Sequence, residues 1–252
     1  MQIPTGNLDT IRSSLDTVLD ELARAAESAL PPAADGAGLP ALVQAFDQLV
    51  DVMARVAADL QQECEIPSPY RAGPAEVTEL GEYAFKLQEN LAALAAQTGH
   101  ADATATMAGT ALDFALWVAT HEGQIDTLEP VVDALARFAN GTVAPRELES
   151  LTHVIEQIIP AVAPLIQQDL EKMNPGRPWR LLLLNYGIVA TRSHNTAIME
   201  AAFATLTRHL PEDAGRFFSE GMQQMDALNY PQTVRRFMEK YHRRWNLDRS
   251  LH

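Results

Sequence analysis

A single cysteine, Cys64, among 252 residues excludes an internal disulfide framework, so the chain must hold itself together by burying apolar surface. Aromatic residues make up only 6% of it. β-Branched runs are few, which disfavours sheets and leaves helix as the main element. No apolar stretch reaches the roughly 18 residues that a membrane-crossing helix needs. The opening residues, Met1-Gln2-Ile3-Pro4-Thr5-Gly6, lack the basic and apolar regions of a secretory signal. With the lone thiol, this gives the expectation of a cytoplasmic protein. Catalytic signatures are missing too. There is no Gly-rich phosphate loop, no nucleophile elbow and no paired-histidine zinc helix, so no cofactor is expected.

Positive charge is scarce in one part of the chain only. Residues 1–150 hold 23 acidic and 7 basic residues, residues 151–252 hold 10 and 12, and the net charge is −14. An acidic body repels nucleic acid and anionic lipid, keeps a protein in solution and favours a basic partner.

Alanine and leucine at helical spacing fill the space left by these absences. Leu8, Ile11, Leu15, Val18, Leu22, Ala25 and Ala29 alternate steps of 3 and 4, as do Leu42, Phe46, Leu49, Met53, Val56 and Leu60. The Pro/Gly loop at 31–38 between them predicts an antiparallel hairpin. Its narrow stripes can pack on later helices or on a second copy, as a homodimer. Residues 67–74, with Pro67, Pro69, Gly73 and Pro74, read as a linker. The expected division is therefore an N-terminal hairpin over 1–66 and a helical body over 75–252, which can also pack as one domain.

The body begins with a helix through Val77, Leu80, Ala84, Leu87, Leu91 and Leu94, ended by Gly99. Asp102 caps the next, through Met107, Ala111, Phe114 and Val118. Asp126 and Glu129 form a capping box for a fifth helix, which Asn140-Gly141 ends by a left-handed turn. A sixth starts at Pro145. Pro160 and Pro164 predict a kink or break near Ile159.

The C-terminal third repeats. Gly187, Asn195 and Phe203 recur 34 residues later as Gly221, Asn229 and Phe237. Pro178 suits a helix start, and Asn195 suits the cap of a second helix carrying Ile198, Ala202, Phe203 and Leu206. A weaker echo places Val118-Ala119-Thr120, Glu129, Leu135 and Arg137 again 71 residues on, at Val189-Ala190-Thr191, Glu200, Leu206 and Arg208. A 34-residue period of two helices resembles the tetratricopeptide repeat family. The small Gly187, the aromatic Phe203 and the closing Pro211 match its pattern, as do Gly221 and Phe237. Met199 and Thr233 replace the family's small residue at the start of the second helix, and Trp245 replaces the next closing proline. The match covers about 65 residues, and two ordinary helical hairpins would show the same features. The resemblance implies a right-handed curl of helix pairs whose first helices line a groove. Asn185, Arg192, Arg216 and Gln223 are then the candidate partner contacts.

Other groups carry residue types that chemistry uses. Glu149, His153 and Glu156 share a helix face that suits one metal, though a solvated face has the same pattern. Glu239 and His242 make one Glu-x-x-His motif without the second that a di-iron bundle requires. Asp113 is out of phase with the Met107–Val118 stripe and is expected on the wet face. Arg235, Arg236, Lys240, Arg243 and Arg244 make the last helix basic, for docking on acidic protein surface or for phosphate.

The reading is an all-α protein of about ten antiparallel helices, acting as an adaptor or chaperone-like scaffold for a protein or peptide. Two alternatives stay open: a helical-bundle enzyme or ligand-binding protein, and an acidic inhibitor of a basic partner.

Overall fold

The computed structural model describes residues 3–28, 38–61, 72–97 and 103–247. Cys64, Gly99, Asp102 and most of the expected loops at 31–38 and 67–74 lie outside the described residues. The all-α expectation holds: the described residues form eleven helices and no strand. None of these helices is long and apolar enough to cross a membrane. The chain divides into two compact units, Met1–Gly141 with Val154–Gln168, and Thr142–His153 with Asp169–His252.

The first unit contains α1 (Leu8–Ser28), α2 (Gly38–Gln61), α3 (Pro74–Gln97), α4 (Ala103–Thr120) and α5 (Glu129–Gly141). Helix α4 is central, packing on α1, α3 and α5. Every residue from Thr110 to Val118 is buried. Two glycines let the backbones close around it. A Cβ on Gly81 would lie 2.4 Å from Cγ2 of Val118, and one on Gly123 would lie 2.6 Å from Cγ1 of Val77. The hairpin stripes bury Ile11, Leu15, Val18 and Leu22 on α1, and Phe46, Leu49 and Met53 on α2. Helix α1 packs on α2 and α4, and α2 also packs on α3. These stripes are thus covered within the chain.

Two expectations about acidic side chains in this unit are corrected. Asp113 is only 4% exposed. Its Oδ1 accepts hydrogen bonds from the backbone amides of Thr5 (2.6 Å) and Gly6 (2.8 Å), so it pins the N-terminal segment onto α4. Asp126 does not cap α5. Glu82 on α3 instead holds the segment before that helix, its Oε1 accepting from the amides of Asp126 and Thr127 at 3.0 Å each, ahead of the first helical residue Glu129.

Helix α6 (Pro145–Ala161) supplies its first half to the second unit and the rest to the first. The expected break falls at Val162–Ala163, slightly later than Ile159. Ala163 takes an extended conformation (φ −54°, ψ 138°), and Pro164 opens the one-turn helix α7 (Pro164–Gln167), as the restriction on a residue before proline requires. Val162 pairs with Ile125 in an isolated bridge. Gly141 is the last residue of α5, and neither it nor Asn140 has a positive φ, so the expected left-handed turn is not formed.

The second unit is built from α8 (Pro178–Arg192), α9 (Thr196–His209), α10 (Pro211–Ala227) and α11 (Gln232–Leu247). The closest packing is α8 with α9 and α10 with α11, and α9 also touches α10 and α11. Pro178 and Pro211 stand at the helix starts. Asn195 caps α9 as expected, its side chain accepting from Ala197 and Ile198. Asn229 has a different role: it takes the left-handed conformation (φ 51°) in the turn after α10, a role that His194 (φ 61°) fills after α8. Phe203 centres an aromatic core, with ring centroids 5.1 Å from Phe218 and Tyr241 and 5.8 Å from Phe217.

Candidate functional site

Helices α8, α10 and α11 enclose a cleft of about 350 Å³ in the second unit. Its α10 wall is a helical stripe: Phe217, Glu220, Gly221, Gln224, Met225 and Leu228 fall at steps of 3, 1, 3, 1 and 3. Ile188, Thr191 and Arg192 face it from α8, and Met238 enters from α11. The two glycines shape it. A Cβ at Gly187 would come 2.6 Å from Cζ of Phe217, so the missing side chain lets Phe217 lie against α8. A Cβ at Gly221 would come 2.9 Å from Sδ and Cε of Met238. The floor is therefore two methionines and an aromatic ring, a soft surface that can repack around different apolar shapes.

Ile188 and Leu228 are 45% and 63% exposed at the edge. Most polar groups on the lining already have partners. Thr191 Oγ1 donates to the carbonyl of Gly187 (2.7 Å), Arg192 Nη2 donates to the carbonyl of Thr142 (2.6 Å), and Glu220 pairs with Arg216 (2.7 Å). The Tyr230 ring meets His194 edge-on at 5.2 Å. Burial pushes its phenol above the ordinary tyrosine value, with Arg192 pulling the other way. Tyr230 is therefore a neutral hydrogen-bonding group on the lining. The chemistry available is shape and apolar contact, with few free polar groups to orient a reaction.

Of the four contacts implied by the resemblance, only Arg192 lines the cleft. Arg216 is exposed and touches Glu220 of the lining, Gln223 is exposed, and Asn185 is half-buried on α8 outside it. Ile188, Leu228 and Tyr230 were missed. Of the α10 wall, the sequence pointed to Gly221 alone, as a repeat position.

The basic residues of α11 divide. Arg235 pairs with Asp226, and Arg243 with Glu239 at 2.5 Å. Lys240 lies over the rings of Phe237 (5.7 Å) and Tyr241 (5.9 Å). Arg236 and Arg244 are exposed. Glu149 accepts from Asn195 Nδ2 at 3.1 Å. No group of three His, Cys, Asp or Glu side chains able to hold a metal occurs among the described residues.

Comparison with protein-family models, with curated proteins and with solved structures returns no match to this chain.

Proposed function

We propose that this protein is a non-enzymatic interaction scaffold of adaptor or chaperone-like type, and that the cleft of α8, α10 and α11 takes an apolar side chain of a protein or peptide partner. The observation that carries this reading is the pair Ile188 and Leu228, apolar yet 45% and 63% exposed beside a methionine-floored cleft. Exposed apolar surface at a concave site is where partner anchors dock. We further read α8/α9 and α10/α11 as two degenerate tetratricopeptide-type units, in which α8 and α10 are the groove-forming first helices. A chain with a single cysteine suits the cytoplasm, where we place it.

The test is a capture experiment with the purified chain beside an Ile188→Glu/Leu228→Glu variant. Both side chains are solvent-accessible, so the melting temperature should hold. The partner identified by mass spectrometry is then titrated as a purified protein. Loss of the two anchors should weaken binding at least about tenfold, the equivalent of ~1.4 kcal/mol. Equal binding by the variant rejects the cleft as the site. A small apolar molecule that co-purifies with the wild type and not with the variant replaces the scaffold reading with ligand binding, for which about 350 Å³ is at the lower end of the usual range.

A further inference from the structure

Helix α11 carries a second surface, separate from the cleft, and its charges indicate what covers it. Arg236, Lys240, Arg243 and Arg244 are all exposed. At about 100° per residue they fall within roughly 100° of one helix face. Val234 and Met238 are buried on the other side. Among the described residues only Arg243 of this face has an ion-pair partner, Glu239. Arg235 lies off it and is held by Asp226. Arg236, Lys240 and Arg244 have no ion-pair partner among the described residues.

The complementary pattern is on α1. Asp9, Asp16 and Asp20 are exposed, and at about 100° per residue they lie within roughly 40° of one line along the helix. None of the three has an ion-pair partner among the described residues. Of the cations on α1, Arg12 is committed to Asp47 (3.4 Å) and Asp51 (2.5 Å) on α2, and Arg24 Nε donates to the backbone carbonyl of Asp20 (3.2 Å). At 1.5 Å per residue, the acidic row is about 16 Å long and the basic row about 12 Å, so the two match in length as well as sign.

We propose that the basic face of α11 docks on the acidic face of α1 in a second copy of the chain. The two faces differ, so the contact is heterologous and copies add head to tail instead of closing as a two-fold dimer. A uniformly anionic polymer such as nucleic acid meets the repulsion of the chain's net −14 charge along with the attraction of α11. A second copy can turn its acidic row toward the basic helix alone. Exposed pairs are individually weak and screened by salt, so the association is reversible and salt-sensitive.

The experiment is sedimentation velocity of the full chain over a concentration series, at low salt and again where the Debye length has dropped from about 20 Å to about 4 Å. The expected result is a mass that grows with concentration past the dimer at low salt and returns to monomer at high salt. Arg236→Glu/Lys240→Glu/Arg244→Glu stays monomeric, and so does Asp9→Lys/Asp16→Lys/Asp20→Lys. An equimolar mixture of the two associates again, because each reversed face finds its reversed complement. All these positions are exposed, and circular dichroism checks that both variants fold. A monomer under every condition overturns the proposal. So does association that survives either reversal, or a mixture that fails to recover it. Binding of a fluorescent oligonucleotide to α11 without self-association overturns it in favour of a nucleic-acid surface.

Discussion

Arg177 and Asp169 form a buried two-pronged ion pair. Arg177 Nη2 donates to Asp169 Oδ2 at 2.9 Å, and its Nε donates to Oδ1. They are 5% and 7% exposed. The remaining nitrogen, Nη1, donates to the carbonyls of Lys172 (3.3 Å) and Asn174 (3.2 Å), so one guanidinium ties the whole loop that leads into α8. Asp169 holds a left-handed backbone (φ 52°) to do this. The loop has little apolar packing of its own, since Leu170 and Met173 are 73% and 96% exposed.

This clip should therefore be indispensable to the loop. Arg177→Ala leaves a buried carboxylate and two carbonyls unpaired, and should cost about 3–5 kcal/mol. Asp169→Ala should cost a similar amount, and the double variant much less than the sum, because the second change removes a group that the first had orphaned. Arg177→Lys should recover little, since an ammonium cannot place donors on both carboxylate oxygens and on two carbonyls. Urea unfolding measures all four. A loss below about 1 kcal/mol in Arg177→Ala would show that the loop is held by something else.

Asp113 gives a prediction in pH. Burial raises its pKa above the ordinary carboxylate value, against the opposing hydrogen bonds from Gly6 and Thr5. A raised carboxyl binds its proton more tightly in the folded state. Its contribution is fully present below the unfolded value and is lost as pH rises through the folded one. Both amides donate to the same oxygen, Oδ1. An asparagine carbonyl can keep both bonds without the buried charge. Asp113→Asn should therefore match or exceed the wild type at neutral pH and lose that advantage in acid. Asp113→Ala strands two amides and should cost about 1–3 kcal/mol at either pH. Thermal melts of the three proteins at pH 4 and pH 7 decide it.

Glu82 makes the start of α5 depend on a helix more than 40 residues away in the sequence. Its carboxylate satisfies two amides and also accepts from the Thr127 hydroxyl. Removing it takes the acceptor from the part-buried amide and hydroxyl of Thr127 and should cost about 1–3 kcal/mol. Asp126→Ala should be nearly silent, within about 0.5 kcal/mol, because the exposed Asp126 side chain does not hold the cap. The reverse ranking in chemical denaturation would restore the local capping box.

Helices were legible in the sequence wherever an apolar stripe had a wet side to contrast with it. In α1, Ile11, Leu15, Val18 and Leu22 are read from spacing alone and all are buried. Helix α4 shows where that reading stops. It is buried on all sides, so phase against its stripe no longer separates core from solvent, and Asp113 was placed on the wrong side. Caps failed for a related reason. Asp126 and Glu129 have the right spacing, but the helix starts only at Glu129, and Glu82 from another helix takes the Asp126 amide; local patterns encode neither. The cleft was half legible. Periodicity located α8 and α10, and the resemblance pointed to Arg192, but neither can tell which apolar residues at a helix edge stay uncovered, as Ile188 and Leu228 do. The 34-residue echo was equally uneven: Gly187 and Gly221 both make room for a side chain, whereas Asn195 caps a helix and Asn229 turns the chain.

That use of glycine separates two substitutions that sequence alone would treat alike. Gly109 lies inside α4, and a Cβ there meets nothing within 4 Å. Gly109→Ala should gain most of the helix-propensity difference, up to about 1 kcal/mol. At Gly187 the same gain is opposed by a Cβ that would sit 2.6 Å from Cζ and 3.1 Å from Cε2 of Phe217, and 3.2 Å from Cδ1 of Leu206. Phe217 cannot retreat freely, because its ring packs edge-on against Phe203 (5.8 Å) and Phe218 (5.3 Å). Overpacking of this kind costs about 1–3 kcal/mol and should outweigh the gain. Gly187→Ala should therefore lower the melting temperature while Gly109→Ala raises it. Since Phe217 also lines the cleft, the Gly187 variant should weaken partner binding as well, which Gly109→Ala leaves untouched. Two melts and one titration test the chain of reasoning from an absent side chain to the shape of the site.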